Sequence, residues 1–233
     1  DATAQTTLAR RLETGDGVLP NFARAAHWYE RAAEAGNLDA ANRLGRLYHA
    51  GLGVTRDLTR ARALLERAAL GGKADHLHDL ALVLDTEAPT PEAVDRAASL
   101  YRQAAEAGHL EAAVNLGVLL QNGRGVEQDF AAAANLYRKA ADQGHARALN
   151  NLGLLHGRGH GVAQDYERAA QLFAAAAERG LPQALTNLGV LYENGFGVPQ
   201  DDEIAAQYYR LGGQGTADPA RAPDLVYDPR LAA

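Results

Sequence analysis

The chain has 233 residues, a formal net charge of −6 and 47% hydrophobic residues, enough apolar content for a buried core, yet no apolar run approaches the roughly 18 residues that span a bilayer. Acidic and basic residues are interspersed, so no basic stripe is offered to a phosphate backbone and nucleic acid is excluded as the expected partner. Cysteine is absent, which excludes disulfides and thiolate metal sites, and methionine is absent even at position 1; Asp1 is therefore not expected to be a native translation start, the expectation being either a removed signal peptide or a trimmed chain.

Landmarks return every 36 residues, a period in the range that marks stacked repeats. Gly36, Gly72, Gly108, Gly144 and Gly180 share one phase, and Ala25, Ala61, Ala97, Ala133, Ala169 and Ala205 a second. Leu8, Leu44, Leu80, Leu116, Leu152 and Leu188 share another. The period predicts one elongated repeat domain of six units over residues 1–216, the third irregular, followed by an extended tail over 217–233. The tail carries Pro219, Pro223 and Pro229 among Leu225, Val226, Tyr227 and Leu231, a mixture that suits a segment covering the last helix or occupying a groove.

Residues 1–14 are predicted to form the first helix, with Ala4 and Leu8 in the core. Gly15-Asp16-Gly17-Val18 then matches loops at residues 51–54, 123–126, 159–162 and 195–198. Paired glycines permit the positive φ angles of a reversal between helices, with the Val tucked beneath. Three residues on come Asn21, Asp57, Asp129, Asp165 and Asp201, placed to cap the next helix rather than to catalyse. That helix carries an apolar stripe, in one copy Ala133, Leu136, Tyr137, Ala140 and Ala141, at the i, i+3, i+4, i+7, i+8 spacing of a buried face. Its aromatic residues read as core rather than as a cofactor box. Each such helix is expected to end at the phased Gly, and Pro182 fits a first helical turn. The partner helix is predicted over, for example, residues 109–122, with Gly45, Gly117, Gly153 and Gly189 inside such helices to allow a close crossing. The third unit departs: His76 and Ala81 replace the usual Ala and Gly, and Asp85-Thr86-Glu87-Ala88-Pro89-Thr90-Pro91 replaces the glycine turn, predicting a stiffer loop.

The pattern A-x-x-x-L-G-x-L-x-x-x-G-x-G-V-x-x-D followed by A-x-x-L-Y-x-x-A-A-x-x-G resembles the Sel-one-like repeat family, a relative of the tetratricopeptide repeats. It is carried by Ala112, Leu116, Gly117, Leu119, Gly123, Gly125, Val126, Asp129, Ala133, Leu136, Tyr137, Ala140, Ala141 and Gly144. The resemblance implies an all-α, right-handed α-solenoid of antiparallel helix pairs whose concave face grips other proteins. It also implies a bacterial setting, with envelope adaptors, signalling regulators and secretion or polysaccharide machinery among its members. A periplasmic or secreted location is expected on that ground, a cytoplasmic one being the alternative.

If the first helix of each pair lines the concavity, as the resemblance implies, the phased Asn115, Asn151 and Asn187 face a ligand. Val118, Leu154 and Val190 follow one turn later, and Asn122, Arg158 and Asn194 a turn after that. An amide both donates and accepts, so this ladder is a candidate holder of an extended peptide backbone; bonding between neighbouring repeats is the other reading of the same residues. His76 and His78 are two apart and point to different helix faces, so a metal site there needs further ligands. His156 and His160 flank a turn and read as solvated. The only Ser, Ser99, sits in no nucleophile motif, and nothing calls for a cofactor. The expected function is a non-enzymatic scaffold binding a protein or peptide. The alternatives are a tight inhibitor or immunity protein and, further off, a hydrolase using Asp79 and Glu87.

Overall fold

Twelve helices and no strand make up the described residues of the computed structural model, which are 1–87 and 90–213. The helices are α1 (Ala2–Thr14), α2 (Phe22–Glu34), α3 (Leu38–Ala50), α4 (Leu58–Ala69), α5 (Ala74–Thr86), α6 (Pro91–Glu106), α7 (Leu110–Asn122), α8 (Phe130–Ala141), α9 (Ala146–Arg158), α10 (Tyr166–Glu178), α11 (Pro182–Asn194) and α12 (Asp202–Gly213). This is an all-α repeat fold of helix pairs. The proposed tail at 217–233, like Ala88 and Pro89 of the predicted stiff loop, lies outside the described residues.

Each repeated letter of the sequence has a physical task. Asn21, Asp57, Asp129, Asp165 and Asp201 accept from the backbone N–H of Arg24, Arg60, Ala132, Arg168 and Ile204 at 2.8–2.9 Å, satisfying one of the free amides of each new helix. At Gly53 and Gly161 φ is +69°, and a Cβ there would lie 2.3 Å from the backbone of Phe22 or Phe130, so the loop after α3 or α9 seats against the start of α2 or α8 in the preceding repeat. The interior glycines admit a large side chain from the paired helix. A Cβ at Gly117, Gly153 or Gly189 would come within 2.5–2.7 Å of the ring of Tyr137, Phe173 or Tyr209, and that ring contact offsets the roughly 1 kcal/mol that glycine costs within a helix. Of the stripe, Ala133, Tyr137 and Ala140 are core as expected, at 0% exposure, and Leu136 and Ala141 are half-buried.

Four details differ from the sequence expectation. Leu8 is 36% exposed and Ala4 is exposed, whereas Ala9 and Leu12 are buried. Leu44, in the same phase, is 2% exposed and shares one buried cluster with Ala25, Ala26 and Tyr29 of the preceding pair. The loop valines are not uniformly tucked, since Val18 is 40% exposed and Val198 only 8%. Pro91 opens α6 behind the Thr90 cap instead of stiffening a loop. His109 is not the first residue of α7 but its cap, its Nδ1 accepting from the Ala112 N–H at 3.1 Å.

The chain divides into two compact units, Asp1–Ala112 and a second beginning at Ala113. In the first, α1 packs on α2, α3 on α4 and α5 on α6; in the second, α9 packs on α10 and α11 on α12.

Candidate functional site: a polar groove in the first unit

The first unit contains a groove of about 650 Å³ built from the first helices of its pairs. From α1 it takes Thr3, Thr6, Thr7 and Arg10; from α3 and its cap Asn37, Asp39, Asn42, Arg43 and Arg46. Asp75, His76, His78 and Asp79 of α5 also line it, as do His109 and Glu111. Because a helix of 3.6 residues per turn places i, i+3, i+4 and i+7 on one side, 39, 42, 43 and 46 necessarily share a face, as do 75, 78 and 79.

Linked ion pairs organise the wall. Asp79 accepts from Asn42 Nδ2 at 3.0 Å and pairs with His78 Nδ1 at 3.3 Å, with Arg46 at 3.9 Å. Burial pushes its carboxyl up, but these three neighbours outweigh burial and hold it below the usual carboxylate range. Asp39 is held low chiefly by Lys73 Nζ, at 2.6 Å, and His76 Nε2 lies 3.0 Å away. His76 is buried, its Nδ1 facing the Ala68 carbonyl at 3.2 Å. Arg43 reaches Glu13 at 3.1 Å, and Glu13 also accepts from the Tyr29 hydroxyl at 2.5 Å. His78 and His109 stack with centroids 4.3 Å apart. Burial first, then repulsion from His78, depresses the His109 imidazole below its ordinary value. Since His109 Nδ1 accepts at the cap, its proton sits on Nε2, which faces Asp75 at 3.6 Å.

Among the described residues no group of three or more His, Cys, Asp or Glu is arranged to hold a metal. His76 and His78 diverge as expected, one into the α4 end and one onto His109. The two carboxylates of the hydrolase alternative are engaged elsewhere: Asp79 in the groove, and Glu87 between His49 at 3.0 Å and Arg56 at 2.7 Å. Ser99 is exposed. His156 corrects the solvated reading, since its Nδ1 is buried, while His160 is exposed and packs on Phe130.

The nine ladder residues all lie in the second unit. Asn115, Asn151, Asn187, Val118 and Leu154 are half-buried, and Asn122, Arg158, Val190 and Asn194 are exposed. Asn187 Nδ2 donates to Asn150 at 2.7 Å, Asn151 bonds Tyr137, and Asn115 accepts from Arg147 at 3.3 Å. Asn194 turns back to the Val190 carbonyl at 2.8 Å. Much of the amide capacity is thus spent between neighbouring repeats. The groove residues occupy the same phase: 43 and 79 correspond to 115, 151 and 187, and 10 and 46 correspond to 118, 154 and 190. Repeated identity marked the face in the second unit, and only counting back by 36 finds it in the first, where the letters change.

The Sel1 repeat family model matches residues 2–37, 38–73, 80–109, 110–145, 146–181 and 182–215. The chain belongs to the Sel1 repeat family. The match skips residues 74–79, the segment that gives this Sel1 repeat chain the groove residues Asp75, His76, His78 and Asp79. A Sel1 repeat protein of known structure from Oxalobacter formigenes is 26% identical with a TM-score of 0.82, covering 91% of this chain and 85% of that one. A protective antigen present in uropathogenic Escherichia coli strains and displaying an SLR fold is 30% identical with a TM-score of 0.77; the likeness covers 91% of this chain but only 46% of that protein. An immunity protein from Pseudomonas aeruginosa, 24% identical over 98% of this chain and 88% of its own with a TM-score of 0.59, shares the fold alone. A comparison with curated proteins finds no match. No helix among the described residues is long and apolar enough to cross a membrane.

Proposed function

We propose that this chain is a non-catalytic interaction module that holds a segment of a partner polypeptide against the first-helix face of its repeats. The groove of the first unit is its main site, and the row Asn115, Asn151 and Asn187 is the same face in weaker form. The observation that carries this reading is the groove itself: about 650 Å³, open, and walled by side chains of three successive first helices. Its mixture of donors and acceptors suits a polypeptide, whose backbone offers both. Engagement of Asp79 by Asn42 and His78, and of Glu87 by His49 and Arg56, supports a binding rather than a hydrolytic role. The inhibitor or immunity alternative rests on fold likeness only. A periplasmic or secreted setting belongs to the same proposal and is supported by the 30% likeness to the Escherichia coli antigen.

The test is selection from a displayed random dodecapeptide library. The reading expects peptides that bind the native chain and lose binding to Thr7→Trp, which fills the groove from an exposed position of α1. Peptides indifferent to Thr7→Trp, or turnover of cell-wall or antibiotic substrates, would contradict it.

A further inference from the structure

The groove wall carries two arginines that the fold does not require. Arg10 of α1 and Arg46 of α3 stand 36 residues apart, in the same place of successive repeats. The remaining copies have Leu82, Val118, Leu154 and Val190 there, so an aliphatic residue meets every packing demand of the position. Both arginines are exposed. Their neighbour Arg43 is committed to Glu13 at 3.1 Å. Arg46, by contrast, has its nearest carboxylate, Asp79, at 3.9 Å, and its side chain is 59% exposed; a formed guanidinium–carboxylate hydrogen bond is about 2.7–2.9 Å. Arg10 forms no ion pair among the described residues. A guanidinium presents five N–H donors in a planar fork that matches a carboxylate, and here two forks open onto one groove with most of that capacity unused.

Resting on the polypeptide-binding reading above, we infer that the groove selects a segment with neighbouring acidic residues, whose carboxylates are taken by Arg10 and Arg46, and with a basic residue further along that meets Asp75. The alternative polyanion, a nucleic acid, fits poorly. It carries a charge at every phosphate, and the same groove holds Asp39, Asp75 and Asp79. A peptide spaces its charges and can set a Lys or Arg where the wall is negative. Asp75 provides that point: its side chain is 85% exposed, and its ion-pair contact is His109 at 3.6 Å. The arrangement also runs against the overall charge of −6, so the arginine pair is a local feature and not a by-product of a basic chain.

The experiment repeats the dodecapeptide selection on the native chain and on the Arg10→Glu/Arg46→Glu double variant, with folding checked by thermal melting. The native chain enriches adjacent Asp or Glu with a Lys or Arg beyond them, and the double variant loses that acidic preference. The best peptide, remade with Gln for its acidic residues, or tested on Arg10→Ala/Arg46→Ala, binds about tenfold or more weakly. Groove-dependent peptides with no acidic preference, and binding within about twofold on the Arg→Ala pair, would overturn the inference while leaving the polypeptide reading in place. A twelve-nucleotide single strand binding as tightly as the best peptide would also overturn it. Absence of any Thr7→Trp-sensitive peptide would instead remove the reading on which it rests.

Discussion

Position 43 of the first unit and position 151 of the second occupy one place in the repeat, yet the first carries a guanidinium and the second a carboxamide. The difference extends along the whole face. The first unit ties one repeat to the next by Asn42 donating to the Asp79 carboxylate at 3.0 Å, and the second by Asn187 donating to the Asn150 carbonyl at 2.7 Å, over the same separation of 37 residues. Tyr29 donates to the Glu13 carboxylate at 2.5 Å, whereas Tyr137 donates to the Gln121 amide at 3.3 Å, each over 16 residues. The cap Asp, the loop glycines and the Ala–Leu core do not follow this split. The fold therefore constrains the buried and turning positions of the repeat and leaves the first-helix face free, so that one geometry hosts a charged site in one unit and an amide row in the other.

The largest effect should be blind to that distinction. Gly53→Ala and Gly161→Ala each place a Cβ at φ +69° and 2.3 Å from neighbouring backbone, and each should lower unfolding stability by about 3 kcal/mol. Urea unfolding that finds one loop tolerant would break the equivalence of the two units. The inter-repeat ties should then separate them. Asn42→Ala removes a donor from a largely buried carboxylate and should lose about 2 kcal/mol, against about 1 kcal/mol for Asn187→Ala, where both partners are neutral. Equal losses would show that the charge at Asp79 adds nothing. The tyrosines sharpen the same contrast: Tyr29→Phe should lose about 1.5 kcal/mol and Tyr137→Phe about 0.5 kcal/mol.

Acid sensitivity should also reside in the first unit. The folded Asp79 carboxyl titrates below its ordinary 3.8, so its contribution is complete above that value and is lost as pH falls through the lower folded pKa. The stability gap between the native chain and Asp79→Asn should therefore be flat near neutrality and narrow below pH 3.8. His109 works at higher pH. Its folded pKa lies below 6.5, so on acidification through that value the unfolded chain takes a proton that the folded chain refuses, and stability falls. His109→Asn keeps a capping side chain, as Asn37 shows at the same phase by accepting from the Ala40 N–H at 2.9 Å. The variant should melt normally at pH 7.5 and lose part of the decline below pH 6.5. This is the smallest of the effects, read as melting temperature against pH.

The period, the caps and the glycine turns were legible because each is forced by backbone geometry and so recurs as the same residue. The interior glycines were legible for a related reason, since only the loss of a side chain admits the Tyr137, Phe173 or Tyr209 ring. The groove was not. Thr7, Arg43 and Asp79 share no chemistry that a scan for repeated letters detects, and their relation to Asn115, Asn151 and Asn187 appears only as a shared phase. The half-burial of the amide row and its bonds to Asn150, Tyr137 and Arg147 depend on side chains from neighbouring helices, and the sequence left that reading open beside peptide binding. Leu8 misled because phase reports which way a position faces and not what covers it: Leu44 shares a buried cluster with Ala25, Ala26 and Tyr29, whereas Leu8 is 36% exposed.

Hydrogen–deuterium exchange with a selected peptide at saturation decides whether the charged first-helix face is the main interaction site. A charged binding face gives slowed exchange concentrated in α1, α3 and α5 and lost in Thr7→Trp. Slowed exchange confined to α9 and α11 around Asn151 and Asn187, with the first unit unchanged, would contradict it.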